Sequence, residues 1–327
     1  MFSDSIYLLN SSKLNAGDKN PVAFFSTMYI KNSLYQSGEL DKIVEFYNSF
    51  RNRDELITWM KERPHGNFDY HIYNGDPDIV VVIPTIDHNG KFPEECRNNI
   101  FKGMTLIFVE SGRNMYFNFA SNVNAGIRKA LTLKPKWIVI SNDDMYKIDE
   151  PEKLKKELSR LDSDKINLII PNNGDVGFIS EYRKIVSILS PILKHFKPAV
   201  SIEQKFSIRY RFYLKEFTVK KKILNKIFIK KVVPVKFLGS FFILSYGYCK
   251  KLGGDVFDTV YVNGFEDIDL IVRQFIEKEI PEKIEYRIGD LGGQSLGRNQ
   301  LRSGYRGIAN RAYFNWKNSN KISEIRK

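Results

Sequence analysis

The sequence predicts an α/β fold with a mostly parallel central sheet flanked by helices. The first observation is a set of apolar runs, at residues 78–86, 105–109 and 137–140, that are typical of strands buried on both faces. The second is that helical patterns separate these runs, so that strands and helices alternate with short connections. The third is that polar residues follow directly where the runs end, at the edge where such sheets bind ligands.

Residues 1–76 are predicted to form a helical N-terminal extension without strand alternation. Within residues 38–63 apolar side chains recur at helical spacing, and Arg53 and Asp54 are expected to divide this stretch into two helices. Pro64 would end the second helix. The aromatic content of the stretch indicates that it packs on the main domain.

The main domain is predicted to span residues 77–300, followed by a basic aromatic segment at 301–327. Its first strand is expected to turn at Pro84, because proline cannot continue a central strand. The later predicted elements are a helix at 152–161, a strand at 166–170, a strand at 236–245, a short helix at 248–252 and a turn that opens a helix at 263–275. The segment from about 180 to 236 departs from the pattern and is interpreted as an insertion.

The composition, 43% hydrophobic and 27% charged, is that of a globular protein. Two cysteines, Cys96 and Cys249, exclude a disulfide framework, and the four histidines show no metal-ligand spacing. No signal-peptide pattern occurs, and the longest apolar run, 237–249, is too short to span a bilayer. A cytoplasmic location is therefore expected.

The net charge of +13 is concentrated in the insertion. Residues 205–236 contain eleven lysines or arginines and one acid, Glu216. Such a segment predicts an anionic neighbour, either a membrane surface, a lipid phosphate or a nucleic acid. Apolar residues alternate with lysines there, as in an interfacial helix, and the same pattern fits a solvated surface helix or an oligomer contact.

Two groups of acids are candidates for chemistry. Asp143 and Asp144 follow the run at 137–140, where a carboxylate pair can hold a hard divalent cation; a simple turn is the alternative. Glu266 and Asp267 open the last predicted helix, where the helix dipole alone would also favour acids. No glycine-rich dinucleotide or P-loop motif is present, so neither of those nucleotide-binding folds is expected.

Six motifs occur in the order and approximate spacing of the family 2 glycosyltransferases: IVVVIPTID, LIFVESG, NVNAGIRKA, IVISNDDM, FLGSFFILS and FEDIDLIVR. Over residues 77–297 the chain resembles that family, which has the GT-A fold. The resemblance implies a nucleotide-sugar half at 77–150 and an acceptor half at 165–300. The N-terminal extension and the basic insertion lie outside it.

The resemblance also implies roles for individual residues. The nucleotide-sugar contacts would be Pro84, Thr85, Ile86, Glu110, Asn124, Asp143 and Arg306. Asp144, with Asp290 as an additional ligand where the family often has histidine, would hold Mn²⁺ or Mg²⁺ on the diphosphate. Asp267 would be the general base, with Glu266 orienting it or the acceptor hydroxyl. Glu110 stands where the family usually has aspartate. This difference leaves the identity of the nucleotide base undecided.

The activity implied is inverting transfer of a sugar from a nucleotide-diphospho-sugar to a hydroxyl of a glycan or lipid-linked acceptor. The segment 205–236 would then hold the enzyme peripherally on the inner face of the cell membrane. The alternative class is a basic α/β protein that binds nucleic acid or an anionic surface without transferase activity. Nucleic acid is disfavoured as a partner, because the carboxylate pairs would repel phosphate unless a metal intervenes.

Overall fold

The computed structural model describes residues 29–36, 39–171, 175–177, 235–237, 239–277, 279, 281–292 and 300–318. These residues form a central seven-stranded sheet with helices against it. Most of the basic insertion lies outside the described residues, so its predicted membrane contact stays a prediction. No helix in the described ranges has the length and apolar character needed to cross a bilayer.

The strands are β1 (Asp69–Tyr73), β2 (Asp76–Thr85), β3 (Met104–Glu110), β4 (Trp137–Ser141), β5 (Met145–Lys147), β6 (Leu168–Pro171), β7 (Asp175–Gly177), β8 (Val235–Phe237), β9 (Phe241–Ser245), β10 (Glu282–Ile284) and β11 (Ile288–Asp290). The helices are α1 (Leu40–Asn48), α2 (Arg53–Glu62), α3 (Lys91–Glu95), α4 (Phe119–Leu131), α5 (Pro151–Ser159), α6 (Tyr246–Lys251), α7 (Glu266–Ile276) and α8 (Gln300–Asn318). Residues 29–36 are also helical, and α3 continues into a π-helical turn at Cys96–Ile100.

The large sheet has the strand order β1-β3-β2-β4-β9-β6-β10. Strands β3, β2 and β4 are parallel to one another, and β10 is parallel to β6, whereas β1 and β9 run antiparallel to their neighbours. The predicted α/β class with helices flanking a central sheet is confirmed. The two antiparallel strands make this sheet mixed.

Strand β1 was not predicted, and it lies inside the region that was expected to lack strands. Its residues carry no apolar run, and Tyr70 and Ile72 are 41% and 38% exposed. The strand forms by pairing with β3 at the edge of the sheet, from Asp69 opposite Glu110 to Tyr73 opposite Leu106. An edge strand needs only one partner and little burial, so its sequence pattern is weak.

Strand β2 continues through Pro84 to Thr85, beyond the predicted turn. Its pairing with β4 stops at Val82, whereas its pairing with β3 reaches Thr85. Pro84 therefore lies where only one side of the strand is paired, and its missing N–H interrupts no ladder. The predicted strand at 236–245 is likewise two strands, β8 and β9, in different sheets.

Two apolar cores cover the two faces of the sheet, and a third joins helices near the first and last described residues. The third core packs α1 and α2 against α8, and the Tyr47 and Tyr305 rings stack with their centroids 4.8 Å apart. The same core includes Tyr261 and Val262 from the loop before α7. The helices near both termini thus form one layer around that loop.

Arg63, just after α2, ties this layer to the loop before α7. Its side chain is 6% exposed, and its guanidinium donates to the carbonyls of Thr259 (3.0 Å), Val260 (2.9 Å) and Tyr261 (2.6 Å), and to that of Met60. A planar guanidinium can serve several acceptors at once. The loop carbonyls are therefore satisfied without regular secondary structure.

We expect Arg63→Ala to lower the free energy of unfolding by about 2–4 kcal/mol, because several buried carbonyls lose their donor. Urea unfolding of the full chain measures the effect. The matched control is Arg160→Ala, which removes an exposed ion pair with Glu157 and should change stability by no more than about 0.5 kcal/mol. Equal stability of the two variants would contradict this role for Arg63.

Candidate active site

The ends of two neighbouring parallel strands bring two predicted site residues into contact. Thr85 ends β2, and Asp143 follows β4; the Thr85 hydroxyl donates to Asp143 Oδ2 at 2.8 Å. Asp143 and Asp144 are 6% and 3% exposed. Pro84 is buried within β2, and Ile86 follows it, partly exposed. Five predicted site residues thus lie at the carboxyl edge where open α/β sheets bind ligands: Pro84, Thr85, Ile86, Asp143 and Asp144.

Asp290 lies beside this pair because of a small second sheet formed by β5 and β11. In that ribbon Asp290 is the cross-strand partner of Met145, and the Leu291 N–H donates to the Asp144 carbonyl at 2.9 Å. Asp144 and Asp290 therefore come from backbone segments that are hydrogen-bonded neighbours. The sequence separates them widely, and only the ribbon brings them together.

The acids do not form a complete cage for a cation. Within the described ranges, three ligand atoms of His, Cys, Asp or Glu approach one another closely enough for a shared ion only at His71, His88 and Glu110. Mg²⁺ and similar ions are usually held by one or two carboxylates together with substrate phosphates. The carboxylate oxygens of Asp144 and Asp290 are ligands suited to that mode of binding.

Glu110, a predicted nucleotide contact, has its carboxylate held by two histidines. The His88 backbone N–H donates to Oε2 at 2.9 Å, and the His88 Nδ1 and His71 Nε2 atoms lie 2.5 and 3.4 Å from the same oxygen. The hydrogen bond from the His88 backbone is the main cause that lowers the pKa of Glu110. A nucleotide contact of Glu110 stays a prediction, because the carboxylate already has these partners.

The second acid pair opens α7. Glu266 is 3% exposed and Asp267 is partly exposed. Burial raises the pKa of Glu266 to about 7 and that of Asp267 to about 6. Glu266 Oε1 is buried without a hydrogen-bond partner in the described part of the chain. Both groups can therefore exchange a proton near neutral pH, as a general base must.

Asp267 lies against the face of the sheet formed by β6 and β9. It lines a small apolar recess, too narrow to hold a water molecule, with Leu168, Ile170, Phe242, Leu270 and Ile271. Phe242 on β9 is the cross-strand partner of Ile140 on β4, shortly before Asp143. The recess therefore borders β9 next to the end of β4, which Asp143 and Asp144 follow.

The backbone directly before Glu266 is strained. Asn263, Gly264 and Phe265 have φ angles of 48°, 155° and 76°. Positive φ suits asparagine and glycine but costs energy for a bulky residue such as phenylalanine. Strain of this kind persists only where the surrounding structure imposes it, and it is concentrated at functional sites.

Four buried or partly buried asparagines impose this loop geometry. Asn118 donates to the carbonyls of Thr259 and Tyr261, and Asn124 both accepts from and donates to the Phe257 backbone. Asn263 donates to the Phe117 carbonyl and accepts from the Phe119 N–H, at the start of α4. Asn310 on α8 accepts from the Val262 N–H and donates to the Val262 carbonyl. The predicted nucleotide-pocket residue Asn124 thus uses its amide to hold the loop before α7.

The last predicted residue, Arg306, lies on α8 beside Tyr305 in the third core, and its side chain is partly exposed. The same helix is joined to α7 through Lys317, whose ammonium lies 2.9 Å from Asp269 and 2.7 Å from Asp258. A role for Arg306 toward a diphosphate stays a prediction.

Sequence reasoning missed the residues that hold the loop, namely Arg63, Asn118, Asn263 and Asn310. Their partners are backbone groups far away in the sequence, which no local pattern reveals. The one available signal was the Asn263-Gly264 dipeptide, which is typical of turns. The pairing of β1 with β3 likewise helps to bring His71 beside His88, although their sequence spacing showed no metal motif.

We expect Glu266→Gln to stabilise the chain at alkaline pH. A carboxyl group with a raised pKa binds its proton more tightly in the folded state, so stability falls as pH rises from its ordinary pKa of 4.5 to about 7. At about pH 8 the free energy of unfolding of the variant should exceed that of wild type by about 1–3 kcal/mol. At about pH 5 the two free energies should be nearly equal. Urea unfolding at both values measures the difference.

The matched control is Glu94→Gln, which changes an exposed glutamate on α3 and should show no such pH-dependent difference. If Glu266→Gln differed from wild type by the same amount at both pH values, the buried carboxylate would not have the raised pKa.

Comparison with known proteins does not supply a family. A scan against protein-family models finds no match for the chain, and a search of curated proteins returns none. The function must therefore be inferred from the residues at the sheet edge and the geometry that holds them.

Proposed function

We propose that the chain is an inverting glycosyltransferase of the GT-A type. It would move a sugar from a nucleotide-diphospho-sugar to a hydroxyl of a glycan or lipid-linked acceptor. The observation that carries the proposal is the presence of two separate acid pairs, one directly after β4 and one at the start of α7, the second with pKa values raised to about 7 and about 6. Metal-assisted displacement needs one acidic site for the diphosphate and another for the base.

Asp267 is the proposed general base. In the reaction its carboxylate accepts the acceptor hydroxyl proton while the hydroxyl oxygen bonds to the anomeric carbon of the sugar. The bond from that carbon to the diphosphate oxygen breaks in the same step, and the nucleoside diphosphate leaves with the electron pair. Attack opposite the leaving group inverts the anomeric configuration.

Glu266 is the proposed positioning group for the base or the acceptor hydroxyl. Its Oε1 atom is buried and without a hydrogen-bond partner in the described ranges. An unsatisfied buried oxygen costs free energy unless a ligand supplies a donor. An acceptor hydroxyl is such a donor, which supports a binding role for this side chain.

The donor half of the site is proposed at the ends of β2 and β4. Thr85 and Asp143, joined by a hydrogen bond of 2.8 Å, would contact the ribose or the sugar. Asp144 and Asp290 would hold Mn²⁺ or Mg²⁺, which when bound offsets the negative charge that grows on the diphosphate. Arg306 and the basic segment 205–236 are proposed to serve the diphosphate and an anionic membrane surface, respectively.

A panel of nucleotide-diphospho-sugars tests the proposal, with Mn²⁺ or Mg²⁺ in every sample. We expect at least one donor to raise the melting temperature and to release nucleoside diphosphate when an acceptor is added. The same donor without divalent cation should give a smaller response. No response from any donor would contradict the transferase proposal, and salt-sensitive binding to nucleic acid would favour the alternative class.

Two variants separate the proposed roles of the acid pairs. Asp267→Asn should retain donor binding and lose about 10²–10⁴-fold in transfer rate, because proton removal is impaired. Asp144→Asn should weaken donor binding about tenfold or more when metal is present. Donor affinity from calorimetry and transfer rate from nucleoside diphosphate release measure the two effects.

The control is Asp164→Asn, an exposed aspartate after α5, which should change neither quantity. Full transfer activity in Asp267→Asn would remove Asp267 as the base. Unchanged metal-dependent donor binding in Asp144→Asn would remove it as a cation ligand.

A further inference from the structure

Three potential metal ligands converge beside β3. His71 lies on the edge strand β1, His88 lies in the turn after β2, and Glu110 ends β3. One ligand atom from each lies within 4.8 Å of the other two. The three side chains are 30%, 19% and 29% exposed, so an ion can reach them from solvent.

We propose that His71, His88 and Glu110 form a binding site for a divalent transition-metal ion, best matched by Zn²⁺. Two imidazole nitrogens and one carboxylate oxygen are a ligand set that zinc and similar ions favour. These nitrogen and oxygen ligands differ from the oxygen-only ligands of Asp144 and Asp290, which suit Mg²⁺ or Mn²⁺. The chain would therefore have two cation sites that differ in chemical preference.

The distances are close to those that one ion requires. Two ligands at about 2.1 Å from a tetrahedral ion lie about 3.4 Å apart. The His71 Nε2 atom is 3.4 Å from Glu110 Oε2, whereas the His88 Nδ1 atom is 2.5 Å from it. Binding would move the His88 ring away from the carboxylate by about 1 Å.

The two imidazole rings are stacked, with centroids 3.4 Å apart and planes 7° from parallel. A bound ion lies in the plane of each ring that ligates it, so the two rings must tilt apart when the ion binds. We expect the change to be confined to side chains, because paired strands carry His71 and Glu110 and a hydrogen-bonded turn carries His88.

That backbone is held by regular pairing. Glu110 is in register with Asp69 on β1 and with Thr85 on β2, so the strands that carry or precede all three ligands are adjacent. The turn that carries His88 is closed by the Gly90 N–H bonded to the Asp87 carbonyl at 3.0 Å. The backbone that carries the ligands is therefore positioned before the ion arrives, and only the side chains must move.

Three protein ligands leave a coordination position for water or a ligand, as in zinc sites that are not closed. An ion there would tie the edge strand β1 to the ends of β2 and β3. It would also occupy Glu110 and so would set whether that carboxylate is available to a nucleotide. The metal site does not depend on the proposed transferase activity, and its test measures metal alone.

Isothermal titration calorimetry of the full chain with ZnCl₂ tests the proposal, on protein without a polyhistidine tag and with excess Mg²⁺ present. We expect one Zn²⁺ per chain with micromolar or tighter affinity, and a zinc-dependent rise in melting temperature. The variants His71→Gln, His88→Gln and Glu110→Gln should each lose about 100-fold or more in zinc affinity.

Two controls distinguish this site from others. His65→Gln changes a described histidine outside the cluster, and Asp144→Asn changes the other proposed cation site; both should keep wild-type zinc affinity. Circular dichroism identifies any variant that fails to fold, and the remaining cluster variants then decide the outcome. Absence of zinc binding in wild type, or wild-type affinity in the folded cluster variants, would overturn the proposal.

Discussion

The structure depends on how the loop of residues 257–265 is fixed before α7. This loop makes few regular backbone hydrogen bonds of its own, so side chains from other elements satisfy its polar groups. Arg63 bonds its carbonyls from the N-terminal side, Asn118 and Asn124 from α4, and Asn310 from α8. Three parts of the chain that are distant in sequence thus determine where Glu266 and Asp267 lie.

This arrangement gives the helical layer a role in positioning Glu266 and Asp267, in addition to its packing. The layer of α1, α2 and α8 encloses Tyr261 and Val262, and the strained backbone at Phe265 follows immediately. Enclosure keeps Glu266 from water, which is the main cause of its raised pKa of about 7. The free energy spent on strain and on a buried acid is offset by the cores on both sides of the loop, so the proposed base region is held in one geometry.

The sequence was sufficient for the α/β class, the strands β2, β3 and β4, and the placing of Asp143 at a strand end. These follow from local apolar patterns, which determine burial directly. It was insufficient for β1, for the split of residues 236–245, and for the contacts of Asn118 and Arg63. Such features depend on pairing or hydrogen bonds between distant segments, whose partners no local pattern specifies. The His71–His88 pair belongs to the same group, since sheet register rather than spacing brings the rings together.

The proposed mechanism requires the acid pairs at β4 and α7 to act across a single cleft. A crystal structure of the chain with Mn²⁺ and a nucleoside diphosphate tests it most directly, because the anomalous signal of manganese locates the cation. We expect manganese to be bound by Asp144 with the diphosphate, and the Asp267 carboxylate to open onto the same cleft. Manganese elsewhere, or Asp144 and Asp267 opening onto opposite sides of the molecule, would contradict it.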